Sequence, residues 1–165
     1  MMKRWVWVFV SILLLTGCNN VDDTQEELLS YLNGPYDEFL IMYEEVELIY
    51  DEYDERGANG EDEEVLEIIR EELIPQFELM HDHLTDQQFE SEEIEQLNDL
   101  LIEETSYNLQ AVEVDEDAFS SVIESGEDAE QLFDERDELY MQADEVLAEF
   151  EQYLDDLLDT YEIEA

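Results

Sequence analysis

From residue 28 onward the chain repeats one pattern: apolar side chains at spacings of three and four, with acidic residues between them. Leu28, Leu32, Tyr36, Phe39, Tyr43, Val46, Tyr50 and Tyr53 form the first such series, which draws a single apolar seam on a helix. Thr24-x-x-Glu27 reads as a capping box at its start, and Arg56-Gly57 as its end. Gly34-Pro35 interrupts the seam. Either Pro35 opens a fresh helix or the helix kinks there.

A second helix is predicted after Asn59, which would cap it, with the seam Leu66, Ile69, Leu73, Phe77, Met80 and Leu84. Pro75 lies inside that seam and predicts a bend near Glu71. Residues 85–90 read as a loop, and Ser91 as the cap of a third helix carrying Ile94, Leu97, Leu101, Leu109, Val112, Phe119, Val122 and Ile123. That seam thins at 103–108 and at 114–117, where the pattern allows a break. Ser125-Gly126 closes it, and Ser125-x-x-Asp128 can start a fourth helix. The fourth has the clearest heptad: Leu132, Arg136, Leu139, Ala143, Val146, Phe150, Tyr153 and Leu157. Four amphipathic helices on short turns predict an all-α fold, an antiparallel up-down-up-down four-helix bundle over 24–165 in one domain.

The first residues follow a different logic. Lys3 and Arg4 precede an apolar run over 5–15, of signal-peptide length and too short for a hydrocarbon core of about 30 Å. Leu15-Thr16-Gly17-Cys18 follows, and Cys18 is the single cysteine of the chain. These residues resemble the bacterial lipoprotein signal. The resemblance implies a signal peptide over 1–17, cleavage between Gly17 and Cys18, lipidation (palmitate among the acyl chains) of the Cys18 thiol, and a tether over 18–23. A lone thiol in an exported chain forms no internal disulfide, which suits this role. The expected location is the cell membrane, lipid-anchored, on the extracytoplasmic side.

Charge narrows the partners. The 165 residues hold 51 Asp and Glu against 5 Lys and Arg. Beyond residue 17 only Arg56, Arg70 and Arg136 remain, so the side-chain charge there is −48 and lysine is absent. Such a surface repels nucleic acid and an anionic bilayer face. The acids are interleaved with apolar residues, as in a folded domain with solvated faces. The same composition suits halophilic or alkaliphilic surroundings. The expected partners are the membrane, through the lipid alone, and an unidentified protein or cell-wall component, with weak divalent-cation binding in addition.

Candidate chemistry is sparse. Glu78-x-x-His81 places a carboxylate and an imidazole on one helix face, and Asp82, His83 and Asp86 complete the one cluster that could hold a metal. The bland account is that two histidines complement the C-terminal dipole of a helix. The acidic run 59–64 fails the EF-hand register, because Leu66 falls where the bidentate glutamate belongs. Tyr36, Tyr43 and Tyr50 recur every seven residues, as a binding face or, more commonly, a core edge. Arg136 either pairs with a carboxylate of another helix or extends its stem to water. No motif requires a cofactor or singles out a catalytic group.

Beside its lipobox, Tyr31-Leu32-Asn33, Glu72-Leu73-Ile74-Pro75 and Asn108-Leu109-Gln110-Ala111 make the chain similar to small helical lipoproteins of Gram-positive bacilli. The resemblance implies fold and anchoring and no activity. The lack of lysine departs from it. The function expected first is a non-enzymatic binding or envelope-associated accessory module. A divalent-cation-binding surface protein comes second and a carboxylate-dependent hydrolase third.

Overall fold

The computed structural model describes residues 23–125 and 129–163. Gly17, Cys18 and the tether up to residue 22 lie outside the described residues, as do Gly126 and Asp128. Among the described residues the fold is all-α and no strand occurs: α1 (Asp23–Leu32), α2 (Pro35–Asn59), α3 (Asp62–Ile68), α4 (Ile74–Thr85), α5 (Glu92–Ser125) and α6 (Glu130–Thr160). A π-helical turn, Ile69–Leu73, joins α3 to α4 without a loop.

Local chemistry explains most of these boundaries. Pro35 occupies the first turn of α2, where its missing N–H costs nothing, so Gly34-Pro35 opens a fresh helix. Helix α2 runs past Gly57 to Asn59. The expected end at Arg56-Gly57 therefore lies too early. Gly60 supplies the left-handed cap at φ 73°, and its N–H bonds the carbonyl of Gly57. Asn59 closes α2 instead of capping α3, which is preceded by Glu61 with no side-chain cap bond.

Thr24 lies inside α1, not before it. Glu27 is turned away from the expected capping box: its two carboxylate oxygens accept the backbone N–H groups of Glu90 (2.7 Å) and Ser91 (2.8 Å). It thereby pins the α4–α5 loop to α1. Ser91 caps α5 as expected, its Oγ accepting from the N–H of Ile94 at 3.4 Å.

Pro75 cannot donate to the carbonyl four residues back. The chain answers with the π-helical turn just before it, in which the N–H of Ile74 bonds the carbonyl of Ile69. Helix α5 is continuous over 34 residues, about 50 Å, through both stretches where a break was allowed.

The core is shared by all helices. Leu28 and Tyr31 of α1, Phe39 and Val46 of α2, Phe77 and Met80 of α4, Leu97 and Leu101 of α5, and Phe150 and Leu157 of α6 are all buried. On α6, Ala143, Phe150 and Leu157 recur at seven, as the heptad required. Interhelical contacts fix the register. Tyr36 packs on Phe150 with ring centroids 5.4 Å apart, and the Tyr50 hydroxyl meets that of Tyr140 at 2.8 Å. Phe119 meets Phe133 at 5.7 Å, and Asn98 donates to the carbonyl of Leu84 at 3.0 Å. Among the described residues no helix is long and apolar enough to cross a membrane.

Candidate functional site

Polar groups enter the core along α5, most of them at its two thin stretches. Asn98, Glu104, Thr105, Asn108 and Asp115 are all buried, and all belong to α5. Leu97, Leu101, Glu104, Asn108 and Asp115 advance by four, three, four and seven. The polar residues thus stay in phase with the apolar seam and carry it onward. That phase is the sequence signal for them, visible only when polar residues are allowed at seam positions.

Asp115 is the hub of one cluster. Its Oδ1 accepts from Arg136 Nη1 at 2.8 Å and its Oδ2 from the Tyr53 hydroxyl at 2.7 Å. Arg136 also donates from Nε and Nη2 to Asp137, and its guanidinium lies 5.0 Å from the centre of the Phe133 ring. Burial disfavours the Arg136 charge, but its bonds to Asp137 and Asp115 outweigh that and raise its pKa. Arg136 therefore pairs inward, one of its two expected fates. The Tyr50–Tyr140 hydroxyl pair lies in the same charge environment. Burial, then Asp115, raises the Tyr53 pKa, and burial pushes Tyr140 up to about 12.

Glu104 is the other buried carboxyl, 2% exposed, and it has no such cation. Its oxygens accept from Asn108 Nδ2 at 2.6 Å and from the Thr105 hydroxyl at 3.2 Å, both on its own helix. Asp144 of α6 adds negative charge, and Tyr43 of α2 feels the Glu104 charge. Desolvation outweighs the two hydrogen bonds and pushes Glu104 up to about 7.

All three described arginines are committed within the chain. Arg56 bonds Glu52 and Glu61, and Arg70 bonds Glu116 at 2.6 Å and the Ser120 hydroxyl at 2.9 Å. No described arginine is left to offset Glu104.

Glu78, His81, Asp82, His83 and Asp86 do not converge. His83 is mostly buried; its Nε2 bonds the carbonyl of Pro35 at 2.9 Å and its Nδ1 lies 3.7 Å from Glu38 of α2. His81 lies on another side of α4, with Nδ1 4.0 Å from the exposed Asp82. Glu78 and Asp86 face solvent. Among the described residues no group of three or more His, Cys, Asp or Glu side chains could hold a metal ion. Two residues apart on a helix, the His81 and His83 rings point to different neighbours.

Tyr36, Tyr43 and Tyr50 line the core edge and do not form an open face. Tyr36 stacks between Tyr31 and Phe39, Tyr43 packs on Phe39, and Tyr50 contacts Tyr53 and Phe77. Burial raises the pKa of all three, Tyr36 to about 12. The acidic run near residue 60 lines an open surface depression with Ile123, and a neighbouring one holds Arg70 among Glu63, Glu67 and Glu71. Neither reaches Glu104 or Asp115. No protein-family model, curated protein or solved structure matches the chain.

Proposed function

We propose that this chain is a lipid-anchored extracytoplasmic protein, exported by residues 1–17 and held to the cell membrane through Cys18. Its folded part is a non-enzymatic binding or envelope-associated module. The single observation that carries the anchor is Lys3-Arg4, the apolar run 5–15 and Leu15-Thr16-Gly17-Cys18. The non-enzymatic reading is supported by the use made of the buried polar groups. Tyr53, Asp115 and Arg136 satisfy one another.

We infer further that the helices form an antiparallel up-down-up-down bundle of four rods: α1–α2, α3–α4, α5 and α6. In support, contacts between rods run in opposite senses. Tyr36 meets Phe150 while Tyr50 meets Tyr140, and Leu84 meets Asn98 while Arg70 meets Glu116.

The test is metabolic labelling with an alkyne-bearing palmitate in a bacterium that processes lipoproteins. Wild-type protein takes up the label and sediments with membranes. Cys18→Ser loses the label and leaves the membrane fraction or stays uncleaved. A wild-type chain that is cleaved elsewhere and carries no label would overturn the reading.

A further inference from the structure

The described residues expose four large hydrophobic side chains: Ile41 (54%), Leu48 (69%), Leu79 (54%) and Met141. Three of them share one side of the molecule. Ile41 and Leu48 are seven residues apart on α2, hence within about 20° of each other and about 10 Å apart along the axis. Phe39, Val46 and Tyr50 take the opposite, core-facing side of that helix. Ile41 and Leu48 therefore sit mid-face toward solvent, where an amphipathic helix ordinarily carries charge.

Leu79 continues the patch from α4. It lies one turn from Gln76 and one turn from His83, the two side chains with which α4 bonds α2. Gln76 donates to the Met42 carbonyl and to Glu45, and His83 bonds the Pro35 carbonyl. Leu79 thus stands on the edge of α4 that faces α2. Around the three apolar residues Asp37, Glu38, Glu44 and Glu45 of α2 and Glu78 of α4 are exposed, and no arginine lies in this part of either helix.

We propose that the α2–α4 face around Ile41, Leu48 and Leu79 docks a lysine- and arginine-rich amphipathic segment of another protein. The occupant follows from complementarity. Apolar knobs at an i, i+7 interval fit the apolar stripe of a helix, and the carboxylate rim demands cations beside that stripe. A second copy of this chain would bring like charge against like, and an anionic bilayer would too. The inference rests on the binding-module reading above and is independent of the lipid anchor.

The probe is an 18-residue peptide of leucine and lysine with leucines on one helical stripe. Its partner in the titration is the full chain in phosphatidylcholine nanodiscs, followed by fluorescence anisotropy. A scrambled peptide of the same composition is the control. Saturable binding is expected, weakened about tenfold or more in the I41S/L48S/L79S variant and unchanged in M141S. The scrambled peptide should bind at least tenfold more weakly. Hydrogen exchange of the wild-type complex should slow across residues 37–52, a readout that needs no variant. Equal binding of both peptides, equal binding by I41S/L48S/L79S and M141S, protection elsewhere, or no binding would overturn the proposal. Labelling of Cys18 is read separately, so loss of the anchor and loss of the docking face remain distinguishable.

Discussion

Replacing Glu104 by glutamine keeps the shape of the buried side chain and removes its ability to ionise. Glutamine Oε1 still accepts from Asn108, and its amide can donate to the Thr105 hydroxyl. The wild-type carboxyl titrates at about 7 when folded against 4.5 ordinarily. The folded state holds the proton more tightly than the unfolded one, so stability is full below pH 4.5 and falls as pH rises toward 7. Above about pH 7 the loss is complete, at about 3 kcal/mol. At pH 5 the cost is about 1 kcal/mol. Glu104→Gln should therefore gain little at pH 5 and about 3 kcal/mol at pH 8.5, roughly 5–10 °C in Tm for a domain of this size. The assay is urea unfolding followed by circular dichroism at both pH values. The other carboxylates titrate in both proteins, so the variant-minus-wild-type difference isolates Glu104. A difference that is flat with pH, or that favours the wild type at pH 8.5, would refute the account of Glu104 as a buried carboxyl without a cation.

Arg136→Met should cost about 3–5 kcal/mol, because it leaves the Asp115 carboxylate buried with only the Tyr53 hydroxyl, and Asp115→Asn in the same chain should restore most of it. Urea midpoints of the single and double variants check this. The two glycines at the end of α2 should respond with opposite signs. Gly57→Ala lies within the helix with open space at its Cβ and should stabilise by about 0.5–1 kcal/mol, whereas Gly60→Ala at φ 73° should destabilise by about 1–2 kcal/mol. Thermal melts decide both. Self-repulsion among 51 carboxylates should make Tm climb between 10 mM and 1 M NaCl, and a flat profile would contradict it.

The apolar spacing was enough to mark the helical stretches, because apolar residues recur at three and four along them even where Gly34-Pro35 interrupts the series and α5 thins. What it hid were exchanges between groups distant in sequence. Glu27 looks like half of a capping box, and nothing local reveals that its carboxylate serves backbone donors 63 and 64 residues away. Glu104, Asn108 and Asp115 looked like gaps in α5 because hydrophobicity alone was counted. Their heptad phase was correct, and Arg136 and Tyr53, on two other helices, are what make Asp115 tolerable there. The five candidate metal residues on α4 stay apart as helical spacing itself requires: His83 turns to α2, and His81, two residues away, does not. The exposed Ile41, Leu48 and Leu79 had no sequence signature, since apolar residues off the seam read as noise until the packing of α4 on α2 groups them.

The engagement of the three described arginines also bears on how the folded part meets proteases. Enzymes that cut after lysine or arginine find, beyond residue 17, only the bonds following Arg56, Arg70 and Arg136. Each lies in helical backbone, and each guanidinium that would enter the protease pocket is held by a carboxylate of the chain itself. Cleavage there must wait for the helix to open and the ion pair to part. Limited trypsin digestion of the chain would then yield a few large fragments at the pace of local unfolding, and amine-directed reagents would find no lysine on the folded part.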